Sequence, residues 1–499
     1  MAISSSTFRA LIIVYVALGS VAYGYCSSII SSTLAQPSFL SYFELDTRSN
    51  ASSLEGAINA LFQAGGLVGC LSCIGFADIL GRRKSILVAS VTTFLGSALQ
   101  VGGFHIAAYL VFRFVTGLGV GALVVLIPLY QSEISPPRIR GLLVGAHGVM
   151  ICVGYALASW VGLAFNFVQD PAAQWRIPLA VQCIPPLFLA IGIPFLPESP
   201  RWLISNDHVD EAWTSFRAVE ASSNKPTAEE EAELVASFSN LCGLIRIESE
   251  GDHSFKALVT TRSLQQRCMI GFMILFGCQG TATLVINNYG PSLYKSLGFK
   301  TTAQLLIQAG WISISPFGNL INSLLVDCVG RTRLLMAGYI GVIIALVGEC
   351  ISVSIFQRTG SQRSVIAAIF FLFLHMACFS STCDATSYIY ASEIFPTPVR
   401  AKGLAVSISG LFVATIVFLQ CAPTAFDTIG WRYYLVFISC TAAVFVFVSF
   451  CCPETGRKSL EQISDLFDGP RGEKMFAADN TEDEENKGDL QEIEDRTAP

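Results

Sequence analysis

Five ionisable side chains stand inside long apolar stretches of this sequence: Arg113, His147, Glu349, His375 and Asp384. A charge near the centre of a membrane-crossing helix costs ~2.5–3.5 kcal/mol on insertion scales, so each such residue calls for a partner, a polar path or a proton to carry. Asp384 is the strongest candidate for a group whose charge changes during a transport cycle; its plainer reading is a hydrogen bond within its own helix, for instance to Ser381. Glu349 lies nearer the end of its apolar stretch and reads as solvated. His147 and His375 read most simply as hydrogen-bonded packing groups. A second set is uncharged: Gln279, Asn287, Asn288, Tyr289, Tyr388 and Tyr390. Amides both donate and accept, which suits a polyhydroxylated ligand, and an aromatic ring can cover the C–H face of a sugar. The competing use of such residues is hydrogen bonding between helices, typically ~0.6 kcal/mol each.

A third set pairs acids with bases at the ends of apolar stretches, and it occurs twice. Asp78, Arg82 and Arg83 are matched by Asp327, Arg331 and Arg333; Glu133, Arg138 and Arg140 by Glu393 and Arg400; and Glu198 and Arg201 by Glu454 and Arg457. The offsets Asp78–Asp327, Glu133–Glu393 and Glu198–Glu454 are 249, 260 and 256 residues. Three motif pairs at nearly one offset indicate a duplicated unit. The acids beside the arginines predict ion pairs that bridge the two halves when one end is shut and part when it opens, a few such pairs sufficing to bias a two-state equilibrium.

The elements that must position these residues follow from composition. Of 499 residues, 52% are hydrophobic and only 14% charged, against ~25% charged in soluble proteins. So little charge cannot cover so large a core in water, which excludes an ordinary soluble enzyme. The net charge of −6 and the lack of a basic block exclude a nucleic-acid partner. The 16 cysteines lie mostly within apolar runs, with no zinc-ligand spacing, so no metal or other cofactor is expected.

A crossing helix needs ~20 apolar residues. Twelve segments meet this: 8–30, 53–77, 85–104, 106–130, 142–165, 176–196, 267–290, 303–328, 333–355, 364–391, 402–423 and 431–452. The expected fold class is an all-α membrane protein of twelve transmembrane helices in two six-helix halves. The halves are 1–196 and 267–452, joined by a polar loop at 197–266 with a surface helix near 226–239. A tail at 453–499 ends in an acidic, disordered stretch at 479–496. The first apolar run is too long for a cleaved signal and is read as the first segment. Lys and Arg concentrate in the loops that share a side with both termini, which places N- and C-termini in the cytoplasm. The Asn50-Ala51-Ser52 sequon then falls outside, making Asn50 a candidate glycosylation site.

The motifs GFADILGRRK, RFVTGLGVG, YQSEISPPRIRG, PESPRWL, VDCVGR, YASEIFPTPVRAKG and PETGRKSLE resemble those of sugar porters of the major facilitator superfamily. The likeness runs over about residues 8 to 465 and is greatest to fungal lactose-permease-like members. It implies the major facilitator fold and alternating-access transport, with the charged set at the cytoplasmic end holding the outward-facing state. It also implies where this chain departs from its kin. Arg113 matches the arginine that faces a first-segment aspartate in proton-coupled porters, but Cys26 stands in the aspartate's place. The sugar-gripping glutamine of the fifth segment falls on Gly148. The glutamine pair of the seventh is Cys278-Gln279, and the tryptophan of the tenth is Tyr388. Either the protein is a facilitator or another acid couples protons: Asp384 if it meets Arg113, then Glu349 and His147. The balance lies with uniport, because the tenth segment is not the usual place for the coupling acid.

The function expected is transport of a sugar or similar small polar solute (glycoside, polyol or polar metabolite such as quinate) by a monomer in the lipid bilayer, most simply the plasma membrane. An efflux carrier for a secondary metabolite is the alternative on the same fold, and a nutrient sensor a remote one. No nucleophile–base pair or phosphate loop suggests an enzyme.

Overall fold

The computed structural model describes residues 5–134, 140–220, 228–249, 255–396, 399–456, 458, 462–463 and 466–467. The acidic stretch 479–496, Arg138, the Arg140 side chain and Arg457 lie outside the described residues. The described chain is helical, without a strand. That follows from the solvent: in lipid every backbone N–H and C=O must be paired internally, which a helix does within one segment. Eleven stretches are long and apolar enough to cross a membrane. The first ten, Leu11–Leu34, Ala51–Leu80, Arg82–Val101, Ile106–Ile134, Ala146–Phe165, Pro171–Phe195, Arg262–Ser296, Thr301–Val329, Arg331–Thr359 and Gln362–Glu393, correspond to expected segments 1 to 10. The last, Lys402–Cys451, contains two helices, Arg400–Ile429 and Tyr433–Cys451, hinged at Gly430–Arg432. They correspond to segments 11 and 12, and the arrangement is consistent with twelve crossings.

Several segments are broken where the sequence departs from helix-forming chemistry. Segment 6 is split into Pro171–Val181 and Ile184–Gly192, next to Pro185 and Pro186, which cannot donate a backbone hydrogen bond. Segment 7 comprises Arg262–Gln279 and Thr283–Ser296, with Ala282 in the left-handed region at φ 71°. Segment 10 carries a wide π turn at Phe379–Cys383. None of these breaks was foreseen from the apolar runs, whose hydropathy continues across them.

The two halves repeat one packing scheme. Segment 1 packs on 5, 2 on 4 and 3 on 4; in the second half, 7 packs on 11, 8 on 10 and 9 on 10. Across the halves, segment 2 lies along 11, 5 along 8, and 1 touches the second piece of 7. The closeness of segments 2 and 4 depends on glycine. A Cβ on Gly117 would stand 2.0 Å from the Phe62 carbonyl oxygen, and one on Gly121 would stand 2.1 Å from that of Gly66. Large apolar side chains such as Val111, Phe188, Ile344, Ile366 and Phe370 are exposed, as lipid-facing positions require.

The beginning of segment 1, the residues just after segment 12 and the central loop share one face. Arg9 pairs with Glu220 of the loop at 2.9 Å, and Glu454, just after segment 12, accepts from the backbone of Arg331. The loop contains helices Val209–Glu220 and Ala228–Ser249, the second covering most of the expected 226–239 helix. Asn50 is exposed at the opposite face, immediately before segment 2.

Candidate functional site

A central cavity opens between the halves. It is lined by Tyr23 of segment 1, Gly148, Ile151 and Tyr155 of segment 5, and Gln279, Thr283, Leu284 and Asn287 around the break in segment 7. Ile312, Ser315 and Asn319 of segment 8 complete it with Met376, Phe379, Asp384, Ala385 and Tyr388 of segment 10 and Leu411 of segment 11. Broken segments at the midplane are a recurrent way to expose polar groups in a transporter core. The break at Gly280–Ala282 does this for Gln279 and Asn287, which stand on either side of it. The π turn does it for Asp384. Five residues along an unbroken α-helix rotate a side chain ~140°; the wider turn brings Asp384 back to the face of Phe379, and both line the cavity. Such turns often mark functional positions.

Asp384 is tied across the halves. Its Oδ2 accepts from Asn319 Nδ2 at 2.8 Å and from Cys152 Sγ at 3.7 Å. Asn319 also donates to the Cys152 sulfur at 3.1 Å, and Ser315 donates to it at 2.9 Å. The Asp384 Oδ1 has no protein partner. Gln279 Oε1, Asn287 Nδ2 and Asn319 Oδ1 are likewise buried without one, and a Cβ on Gly148 would approach only Asn319 Oδ1, at 3.8 Å. Unpaired buried amides are costly, so a cluster of them around one cavity is a site awaiting a hydrogen-bonding ligand. Gln279, Asn287, Tyr388, Gly148 and Asp384, named separately from the sequence, thus meet here. Tyr23, Tyr155, Cys152 and Asn319 were not singled out as ligand positions. Cys152 and Asn319 carried no spacing signal, and only the three-dimensional pairing with Asp384 reveals them.

The other sequence candidates lie elsewhere, for identifiable reasons. Arg113 is fully buried, but not in the cavity. It donates from Nη1 to the Cys26 carbonyl at 3.0 Å and from Nε to the Ile58 carbonyl at 3.3 Å, with its guanidinium 4.3 Å from the centre of the Phe62 ring. Cys26 therefore serves Arg113 through its backbone, and the condition under which Asp384 would neutralise Arg113 is not met in this structure: the hydrogen-bond partners of Asp384 are Asn319 and Cys152. Asn288 donates to the Leu284 carbonyl of its own helix at 2.9 Å. His147 bonds Ser20 at 2.7 Å and His375 bonds the Thr281 carbonyl at 2.8 Å, and the second ring nitrogen of each is buried without a partner. Glu349 is not solvated as expected: it is 4% exposed and accepts from the Tyr434 hydroxyl at 2.7 Å, away from the cavity. Tyr390 donates to the Pro453 carbonyl at 3.0 Å.

On the face opposite the termini the cavity is shut. Ser28 donates to Asn287 Oδ1 at 3.1 Å, and Asn59 donates to the Tyr289 hydroxyl at 2.9 Å. That hydroxyl in turn lies 3.2 and 3.1 Å from the carbonyls of Glu55 and Leu419. Ser28, Asn59, Asn287 and Tyr289 are all buried. Further out, Trp160 donates to Ser313 at 2.9 Å and Asn166 to Thr302 at 3.1 Å. Tyr289 is thus part of a closure between the halves and does not line the cavity.

At the terminal face the charged set forms two matching clusters, each inside one half. Arg82 pairs with Glu133 at 3.0 Å and Asp78 at 3.2 Å; Arg331 pairs with Glu393 at 2.9 Å and Asp327 at 2.8 Å. Glu198 Oε1 caps segment 3 by accepting from the backbone of Arg82 at 3.0 Å and Arg83 at 3.1 Å. Glu454 caps segment 9, with Oε1 accepting from Arg331 at 2.8 Å and Oε2 from Thr332 at 3.1 Å and Arg333 at 3.4 Å. A carboxylate at a helix N-terminus also meets the positive end of the helix dipole. Gly81 and Gly330, at φ 83° and 99°, let each loop turn under its glutamate: a Cβ would lie 2.8 and 2.7 Å from a carboxylate oxygen. In this structure these acid–arginine pairs lie within one half each. Lys402 pairs with Asp78 across the halves at 3.9 Å. Arg400 donates to the Phe395 carbonyl at 3.3 Å.

Two repeated helical halves around a cavity that is closed on one face have the geometry of an alternating-access carrier. The model of the family described as sugar (and other) transporter matches residues 12–467.

The chain belongs to that family. It is a membrane transporter of a sugar or similar small polar solute, working by alternating access, and not an enzyme. Among its relatives are the MFS-type transporter criB of Aspergillus cristatus, 33% identical over 89% of this chain and 90% of that protein, and a quinate permease of Neurospora terricola, 30% identical over 89% and 86%. The proton:xylose symporter XylE bound to 6-bromo-6-deoxy-D-glucose superimposes with a TM-score of 0.78 at 23% identity. It covers 93% of this chain and 100% of its own, so the two share the fold.

Proposed function

We propose that the protein is a facilitator which carries an uncharged polyhydroxylated solute (a sugar, glycoside or polyol). Gln279, Asn287, Asn319, Asp384 and Tyr388 bind it, and the Ser28–Asn287 and Asn59–Tyr289 contacts open and close the outer face. The termini and central loop are cytoplasmic, in line with the lysines and arginines of the loops on that face, and the protein works as a monomer in the plasma membrane. The observation that carries this reading is the set of unpaired amide atoms around the cavity, Gln279 Oε1, Asn287 Nδ2 and Asn319 Oδ1, beneath a sealed outer face.

Uniport is favoured over proton symport by the surroundings of Arg113. It donates from Nε and Nη1 to two backbone carbonyls and lies over a ring face, groups that do not change protonation, and although its Nη2 is buried without a partner, no carboxylate among the described residues hydrogen-bonds it. In each half, the arginine–glutamate cluster acts as a clasp that keeps the six helices moving as one body. A screen of radiolabelled sugar, polyol and polyol-acid uptake in a transporter-null host, at two external pH values, tests the reading. Saturable uptake of hydroxylated solutes with little pH dependence is expected. Failure to take up any of them would overturn the solute class, and uptake that collapses at high external pH would overturn uniport.

A further inference from the structure

The cavity holds one acidic side chain that the solute must face. Among the described residues lining it, Asp384 is the only one with an acidic or basic side chain, the tyrosines aside; no lysine, arginine or histidine is among them. The Asp384 carboxylate uses one oxygen, Oδ2, for Asn319 and Cys152 and leaves Oδ1 unpaired on the cavity. The buried cation Arg113 does not line the cavity and donates from Nη1 and Nε to the Cys26 and Ile58 carbonyls. Beside the amides of Gln279, Asn287 and Asn319, much of the wall is aromatic or apolar, as at Tyr155, Phe379 and Leu411.

We infer that Asp384 is a specificity-determining residue that makes the cavity accept solutes presenting hydrogen-bond donors and reject those bearing a carboxylate. The inference deepens the proposed transport of polyhydroxylated solutes and rests on it. A hydroxyl donates to Asp384 Oδ1 while the amides of Gln279 and Asn287 meet its neighbours. A solute carboxylate in the same place would bring a like charge into a site walled by protein, where water screens poorly, with no cation to offset it and with the Asp384 acceptor left unfilled. A merely hydroxyl-binding pocket without the acid would not discriminate in this way. Asn319 and Cys152 act as positioning residues, because they fix which oxygen faces the cavity.

The experiment compares matched solutes on the full chain in proteoliposomes at neutral pH, against protein-free vesicles: glucose with glucuronate, and methyl quinate with quinate. Each pair differs by a carboxylate. The wild-type protein is expected to take up the uncharged member about tenfold faster or more. Asp384→Asn is expected to narrow that gap to within about threefold, and Asp384→Glu to keep it. Equal or faster uptake of the carboxylates by the wild type would overturn the inference without touching polyol transport, and that comparison needs no variant. An undiminished gap in a well-reconstituted Asp384→Asn protein would also overturn it. Uptake of neither member of either pair would overturn the polyol reading and the inference together.

Discussion

Arg113 donates to the main-chain carbonyl of Cys26 at 3.0 Å, in the place where related proton-coupled carriers present an aspartate to this arginine. The residue thereby ties segment 1 to segment 4, and through the Ile58 carbonyl also ties in segment 2. Its role is that of a buried rivet within one half. Hydrogen bonds from a charged donor contribute ~1.5–3 kcal/mol each. Arg113→Ala is therefore expected to lower the thermal stability of the detergent-solubilised protein by several kcal/mol's worth and to reduce transport as a consequence. Thermal unfolding followed by tryptophan fluorescence checks this. An unchanged midpoint with abolished transport would return Arg113 to a direct part in the cycle.

The outer closure depends on Tyr289. Tyr289→Phe removes the hydroxyl that accepts from Asn59 and reaches the Glu55 and Leu419 carbonyls. With ~1 kcal/mol per hydrogen bond, the outward-open population is expected to rise about fivefold. A Gln279→Cys reporter in the cavity, labelled from outside by an impermeant maleimide and compared with the same protein lacking it, should react correspondingly faster. Unchanged labelling would place the gate elsewhere.

The terminal-face clusters give a prediction on cohesion. Arg82 and Arg331 are each 8% exposed, so replacing either by Gln leaves Glu133 or Glu393 without its arginine in a poorly solvated site. Breaking one member of a buried pair costs ~3–5 kcal/mol. Arg82→Gln and Arg331→Gln are expected to be destabilised alike, since the two clusters repeat one geometry. Limited proteolysis at rising temperature should show early cleavage within the affected half. If instead either variant stays stable and only changes which face is open, the charges bridge the halves in another state of the cycle.

Asn50 stands exposed on the face opposite the termini, and Ser52 of its sequon hydrogen-bonds Asp427. Expressed in a eukaryotic host, the protein is expected to shift in mobility on glycosidase treatment, and Asn50→Gln should abolish the shift. A shift that survives in Asn50→Gln would contradict the placement of this loop outside.

The duplicated architecture was readable because it rests on properties that repeat along the chain: apolar runs of crossing length, and Asp78, Glu133 and Glu198 recurring as Asp327, Glu393 and Glu454. Gln279, Asn287, Asp384 and Tyr388 were readable as candidates, since polar groups in apolar runs need a reason. What each of them touches was not. The break at Ala282 and the π turn before Asp384 depend on tertiary contacts that hydropathy does not record, and they decide which side chains enter the cavity. Glu349 looked solvated because its position along the segment says nothing of Tyr434, which reaches it from segment 12. Whether Asp384 meets Arg113 was left open by the sequence for a related reason: the carbonyls of Cys26 and Ile58 that accept from the arginine are invisible as side-chain types.

The central claim, that the protein equilibrates its solute without proton coupling, is tested most directly in proteoliposomes by imposing a pH gradient, acidic outside, on a solute that the uptake screen identifies. Internal solute is expected to rise to the external concentration and stop there, with or without the gradient and in Asp384→Asn as in the wild type wherever that variant transports. Accumulation above the external concentration, abolished by collapsing the gradient, would contradict it; if Asp384→Asn then lost accumulation but kept exchange, the carboxylate in the cavity would be the coupling group.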